Sequence, residues 1–161
     1  MGKVGAQITM SLDGYVAGPN DGPGRGLGER GERLHYWVFG GPWSYEQPPT
    51  DEATGVDKEL LDESERTGAV IGGRWTYEAA EAWGGTKAAE PKDVGIMGGA
   101  DVIRQALAAG HVDELVVSVA PVVLRSGKRL FEGFDKDVEL EQVGVVQSPW
   151  VTHLRYRVLP A

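Results

Sequence analysis

The segment Asp93-Val-Gly-Ile-Met-Gly-Gly-Ala-Asp-Val-Ile-Arg-Gln-Ala-Leu-Ala-Ala-Gly110 constrains this chain more than any other. Val94 to Met97 is an apolar run too short for a helix. It breaks at Gly98-Gly99, and Asp101 to Ala109 then follows a helical pattern that stops at Gly110, the usual place for a C-terminal glycine. A strand that passes straight into a helix is the building unit of α/β folds with parallel strands. Two glycines at the bend let backbone N–H groups approach a ligand closely, and the helix start adds unpaired donors and a positive dipole end. A phosphate, or a cofactor carrying one, suits such a turn. A bend that only relieves backbone strain uses the same residues, so both readings stay open. The dinucleotide fingerprint of a Rossmann domain is absent, because Val102 stands where its third glycine belongs.

At 161 residues the chain fits one domain, 1–161, around a single core. Its net charge of −8 argues against a general nucleic-acid or membrane-surface binder. Without cysteine there are no disulfides or thiolate ligands, and three isolated histidines lack metal-ligand spacing, so no metal site is expected. No apolar stretch approaches a membrane span, and the N-terminus does not read as a targeting segment. A cytoplasmic protein is expected.

Along the chain, Val4 to Met10 reads as a central first strand ending at the turn Ser11-Leu-Asp-Gly14. Gly18 to Gly31 is a loop crowded with Gly, Pro, Asn and Asp, of the kind that forms lids or binding loops. Glu32 to Phe39 predicts a short helix with Leu34, Trp37 and Phe39 inward, ended by Gly40-Gly-Pro42, and 43–54 looks irregular. Gly55 to Thr67 predicts a helix with an apolar stripe of Val56, Leu60 and Leu61 and a solvated charged face. Ala69 to Gly72 is expected as a buried strand, followed by a second glycine pair and a helix from Arg74 to Trp83. Glu114 to Leu124 predicts a long, mostly buried strand interrupted near Pro121. Val138 to Val146 and Thr152 to Leu159 alternate as a terminal antiparallel pair, with His153, Arg155 and Arg157 on one face. The sum is a mixed α/β sheet, mainly parallel at first, with an antiparallel C-terminal edge.

Taken in order, Ile8-Thr-Met-Ser-Leu-Asp-Gly-Tyr-Val-Ala-Gly18, Val70-Ile-Gly-Gly-Arg-Trp-Thr-Tyr-Glu78, Met97-Gly-Gly-Ala-Asp101, Val112-Asp-Glu-Leu115, Pro121-Val-Val-Leu124 and Leu130-Phe131 resemble the dihydrofolate reductase-like superfamily. The likeness is to the branch holding the riboflavin-biosynthesis reductase domain and its stand-alone bacterial relatives. It implies a three-layer α/β/α fold with NADPH across the carboxyl ends of the strands. By this resemblance Gly73, Arg74, Trp75 and Thr76 hold cofactor phosphates, and Gly98, Gly99, Ala100 and Asp101 form the pyrophosphate-side turn. Ala6, Gln7, Gly14 and Val16 border the nicotinamide, with the glycine-rich loop closing over it.

The short segment Gly84–Asp93 stands where the family usually has a further strand and helix supporting the adenosine 2′-phosphate side. Arg125-Ser126 replaces glycines usual in relatives. A homodimer is the assembly the resemblance implies.

Hydride transfer needs no side-chain nucleophile, since the nicotinamide carries the chemistry. Asp13, beside the expected nicotinamide site, is the candidate for acid chemistry or substrate hydrogen bonding, and equally a turn-stabilising Asp. Glu32, His35 and Trp37 lie on the helix that lines the substrate cavity in the superfamily; Trp37 and Trp43 are also ordinary core candidates. Arg125, Lys128 and Arg129 read by default as a solvated loop. The function expected is an NADPH-dependent reductase of a small cyclic metabolite. The rival is a relative that has kept the fold for a non-redox, ligand-binding or resistance role.

Overall fold

The structure is a computed structural model that describes residues 2–79 and 93–160. Its elements are β1 (Val4–Ser11), β2 (Tyr15–Ala17), a 3₁₀ turn at Gly31–His35, α1 (Gly55–Glu65), β3 (Ala69–Ile71), α2 (Arg74–Ala79), β4 (Val94–Met97), α3 (Ala100–Ala108), β5 (Glu114–Ala120), β6 (Lys128–Arg129), β7 (Leu140–Gln147) and β8 (Thr152–Val158). Six strands form one sheet in the order β3-β4-β1-β5-β8-β7, and β2 pairs with β6 separately. The first four strands of that order are mutually parallel; β8 and β7 join antiparallel. This is the mixed sheet expected, with β1 at its centre.

Strand alternation divides the core into two layers. Ala6, Ile96, Leu115 and Val117 point to the face covered by α3, where they meet Ile103 and Leu107. Val116 and Ala120 point to the opposite face, against Leu34, Trp37 and Leu60. The period-2 side chains of β5 therefore feed both layers, which makes it the most completely buried strand. Each fully buried Leu or Ile here contributes roughly 1.5–3 kcal/mol. α3 is capped by Ala109, and Gly110 follows at φ +71°, the left-handed conformation that closes a helix.

α1 is fastened to the sheet by polar groups as well as by Leu60. Asp57 is 3 % exposed, and its Oδ1 lies 2.7 Å from Nε2 of His153 on β8. The other ring nitrogen, Nδ1, is 2.7 Å from the Ser118 hydroxyl on β5. Six residues along α1, the Glu63 carboxylate receives two hydrogen bonds from Arg155, at 2.7 and 2.6 Å. Ser64 then donates to Oε1 of Gln7 on β1. The helix thus lies over β5, with one polar edge on β8 and the other on β1.

Three expectations need correction. Asp57 belongs to the charged face expected to be solvated, yet it is buried because His153 partners it. β3 is exposed instead of buried, with Val70 and Ile71 nearly half open, since it is an edge strand paired with β4 alone among the described residues. β5 stops at Ala120, the interruption near Pro121 that the sequence predicts, because proline brings no ladder donor. The Glu32–Phe39 helix is only the 3₁₀ turn Gly31–His35 followed by turns, although Leu34 and Trp37 are buried as expected. The remainder of the helix expected to reach Trp83 and the Gly84–Asp93 connection, up to residue 92, lie outside the described residues.

Replacing Asp57 by Ala strands the His153 imidazole in an apolar layer. We expect a loss of about 2–4 kcal/mol in unfolding free energy, measured by urea denaturation, because breaking one side of a buried polar pair leaves the other unpaired.

Candidate functional site

β3 and β4 are parallel neighbours, so their following turns leave the sheet at the same end. Gly98 and Gly99 have φ of +73° and +80°, conformations that cost an L-residue strain. A methyl group on Gly98 would sit 2.7 Å from Cγ2 of Thr76, and one on Gly99 would meet the backbone N and Cα of Gly73 at 3.6 Å. The two glycine pairs are therefore packed backbone against backbone, closing the distance between the start of α2 and the start of α3. No side chain caps α3, leaving its first N–H groups open for an acceptor. Arg74 extends from the same end with its side chain 88 % exposed, its Nε 3.1 Å from Glu78. Asp101 brings a negative charge there, offset by its ion pair with Arg104, which also donates to the Arg129 carbonyl at 3.0 Å.

A cavity of about 290 Å³ opens on the α1 face of the sheet. A helix with its side chains is about 10 Å wide and strands are about 4.8 Å apart, so α1 covers β5 and the adjoining edges of β8 and β1 and does not extend over β4. The cavity floor is flat because Gly5 and Gly95 stand side by side in the β1–β4 register. Gln7 and Met97 line the far end, and Met97 is the residue directly before Gly98, so the cavity begins where the glycine turn ends. Its rim carries the Lys3–Glu114 pair at 2.6 Å and the Arg155–Glu63 pair. The Arg155 guanidinium holds the Glu63 carboxyl below the usual carboxylate range.

The structure brings together Gly73 to Thr76 and Gly98 to Asp101, and it puts Gln7 in the adjoining cavity. Ala6 is 1 % exposed in the α3-side core, so its side chain is not available to a ligand. Val16 also packs against that core, and Gly14 forms the turn after β1 with φ +89°, its carbonyl accepting from Leu130 N at 2.9 Å.

Asp13 is a structural acceptor. Its Oδ1 takes hydrogen bonds from the Ser11 hydroxyl at 2.6 Å and Leu124 N at 3.1 Å, and its Oδ2 takes one from Arg125 N at 2.8 Å. The Ser11 bond and these backbone donors hold its carboxyl down at about 2. It is ionised at neutral pH, and these bonds tie it into the turn that follows β1.

Of the three residues expected at the substrate, Trp37 is core. Its indole N–H donates to Thr9 Oγ1 at 2.9 Å, and its ring stands edge-on to His153 at 5.0 Å. Loss of water around the partly buried His35 pushes its imidazole down to about 4, so it is neutral at pH 7. Glu32 faces a second cavity of about 360 Å³, shared with Tyr36, Trp43 and Leu124, beyond the carboxyl end of β5. The 18–30 loop is tied to itself by bonds such as Gly18 N to the Leu27 carbonyl at 2.8 Å and Glu29 N to the Pro19 carbonyl at 2.8 Å.

Gly5, Gly95, Ser64 and Arg155 escaped the sequence reading. A lone glycine inside each of two short strands was the available signal, since such glycines mark a close approach or a missing side chain.

Residues 85–154 match the family described as the RibD C-terminal domain. A protein named for riboflavin biosynthesis from Shewanella sp. PV-4 has the same fold, with TM-score 0.65 and 18 % identity over 98 % of this chain and 99 % of that one. The riboflavin biosynthesis reductase Rib7 of Saccharomyces cerevisiae gives 0.58 and 13 % over 98 % and 90 %. Dihydrofolate reductase from Enterococcus faecalis, solved with NADP(H), gives 0.52 and 13 % over 97 % and 96 %. No curated protein matches the sequence. The fold is dihydrofolate reductase-like, and the family match agrees with the riboflavin-biosynthesis branch named from the motifs. Among the described residues, no helix is long and apolar enough to cross a membrane, and no cluster of metal-ligating side chains occurs.

Two changes probe this end of the molecule. Gly98→Ala places a methyl against Thr76 at positive φ, and a loss of about 1–3 kcal/mol is expected in denaturant titrations; adding Thr76→Ser, which removes Cγ2, recovers part of it. For Asp13, the folded value of about 2 lies below the ordinary 3.8. The folded state then binds fewer protons than the unfolded one, so the stabilisation is complete above about pH 5 and vanishes as pH falls through about 2. Asp13→Asn should therefore lower the urea midpoint at neutral pH, with the gap from wild type closing across that acidic window.

Proposed function

We propose that this chain is an NADPH-dependent reductase of a small cyclic molecule. The observation that carries the reading is the contact between the Gly73 and Gly98-Gly99 turns at the carboxyl ends of adjacent parallel strands, next to a cavity that starts at Met97. Carboxyl ends of parallel strands are where α/β sheets bind cofactors. The turns fit such a group: backbone fills the place where side chains would otherwise stand, α3 offers uncapped donors, and Arg74 supplies an exposed positive charge.

When bound, the cofactor supplies the hydride. The chain supplies alignment. Gly73, Gly98 and Gly99 allow close approach of phosphates to the main chain, with Arg74 balancing their charge. Gln7, held from one side by the Ser64 hydroxyl, keeps its amide N–H groups for a substrate acceptor over the Gly5–Gly95 floor. Leu60 and Val116 give the same space an apolar wall. The likeness in fold to a riboflavin biosynthesis reductase and to dihydrofolate reductase supports a cyclic nitrogenous substrate.

Titrating NADPH into the protein while following nicotinamide fluorescence tests the reading, and absence of binding near millimolar concentrations would sink it. Arg74→Ala is expected to weaken NADPH roughly tenfold or more, as for loss of a charged hydrogen bond. A smaller loss for NADH assigns Arg74 to the 2′-phosphate; equal losses make it a general phosphate contact.

A further inference from the structure

We propose that the cavity beyond the carboxyl end of β5 binds a small zwitterion that carries a flat ring, a site that stands whether or not the chain takes NADPH. The cavity holds about 360 Å³, the size of a small-molecule site, and it lies apart from the glycine turns, since β1 runs between β4 and β5. Its charged wall comes from the 3₁₀ turn Gly31–His35 and the Arg30 that precedes it. With about three residues per turn, Arg33 and Tyr36 follow Arg30 along one side, and Glu32 stands about a third of a turn round the axis from them. Arg30 itself is held in the left-handed conformation, φ +62°, which costs a non-glycine residue strain.

None of these charges is neutralised within the chain. Glu32 is half-buried and adjoins Arg33 in sequence, yet no ion pair or side-chain hydrogen bond reaches it among the described residues, and the same holds for Arg30 and Arg33. A carboxylate partly withdrawn from water gains most from a cation brought to it, while the two guanidiniums offer donor forks to an oxyacid group. A ligand carrying both charges satisfies both parts of the wall. Two rings line the same cavity. Tyr36 stands edge-on to Trp150 at 6.0 Å, and Trp43 stands edge-on to Phe39 and Tyr45 at 5.2 and 5.3 Å, so neighbours set the planes of both. The Trp43 indole N–H is buried without a hydrogen-bond partner, a state that ordinary core packing avoids. Val123, 57 % exposed, adds an apolar surface from the β5 side, so a flat ring finds aromatic and aliphatic contact together.

Isothermal titration of the full chain with L-phenylalanine, 3-phenylpropionate and phenethylamine tests the assignment, because the second probe lacks the amine and the third lacks the carboxylate. L-Phenylalanine is expected to bind roughly tenfold or more tighter than either fragment. Glu32→Gln should weaken L-phenylalanine and phenethylamine about tenfold or more and spare 3-phenylpropionate, and the double variant Arg30→Gln, Arg33→Gln should weaken L-phenylalanine and 3-phenylpropionate and spare the amine. Melting temperatures should stay at the wild-type value, since none of the three side chains has an ion pair or hydrogen bond to lose. Absence of L-phenylalanine binding up to about 10 mM overturns the proposal, as does equal weakening of both fragments by either variant. A lowered melting temperature in Glu32→Gln with unchanged affinities overturns it too, assigning the carboxylate to the fold. Wild type that binds L-phenylalanine and not NADPH removes only the cofactor reading, and the opposite result removes only this site.

Discussion

The fastening of α1 to β8 sets the shape of everything on that side of the sheet. Asp57 and Glu63 are six residues apart, about 9 Å along a helix, while their partners His153 and Arg155 are two apart, about 7 Å along a strand. The two spans nearly match, so the links draw α1 along β8 in the same direction. With the helix held over β5, its width reaches only the near side of β1. The cavity is what remains. Trp37 rests on the same His153 and spends its N–H on Thr9, so the polar chain Asp57–His153–Ser118 also orders the aromatic layer beyond the helix.

Much of the frame was legible in the sequence because it is written in local chemistry. Val94–Met97 was read with the boundaries observed, since a short apolar run between Asp93 and a glycine pair leaves one solution. α3 was bounded by Gly110, and β5 was read as buried from its valine-rich apolar run. The terminal pair was visible in the alternation of β8. The glycine turns were found as motifs, but their contact was not, because proximity of Gly73 to Gly99 depends on β3 and β4 being neighbours.

Illegible parts share one cause: partners distant along the chain. Asp57 looks like every other acid of a charged helix, and only His153, 96 positions away, makes it a buried residue. Asp13 reads locally as an acid or as a turn residue alike; its bonds from the amides of Leu124 and Arg125 are beyond the reach of any local pattern. β3 was expected to be buried because a short apolar run cannot announce whether its strand stands at the centre or the edge of a sheet.

The paired floor glycines leave the cavity adjustable from one side only. A methyl on Gly5 would meet nothing within 4 Å, while one on Gly95 would press on Thr67 at 3.3 Å. The volume over Gly5 is space the fold does not need for packing and leaves undefended, so a single substitution there can lower the ceiling on ligand size without disturbing the backbone. Over Gly95 the same change runs into the segment that follows α1. Of the two, Gly5 is the position from which the breadth of molecules this chain admits can be redrawn, one carbon at a time.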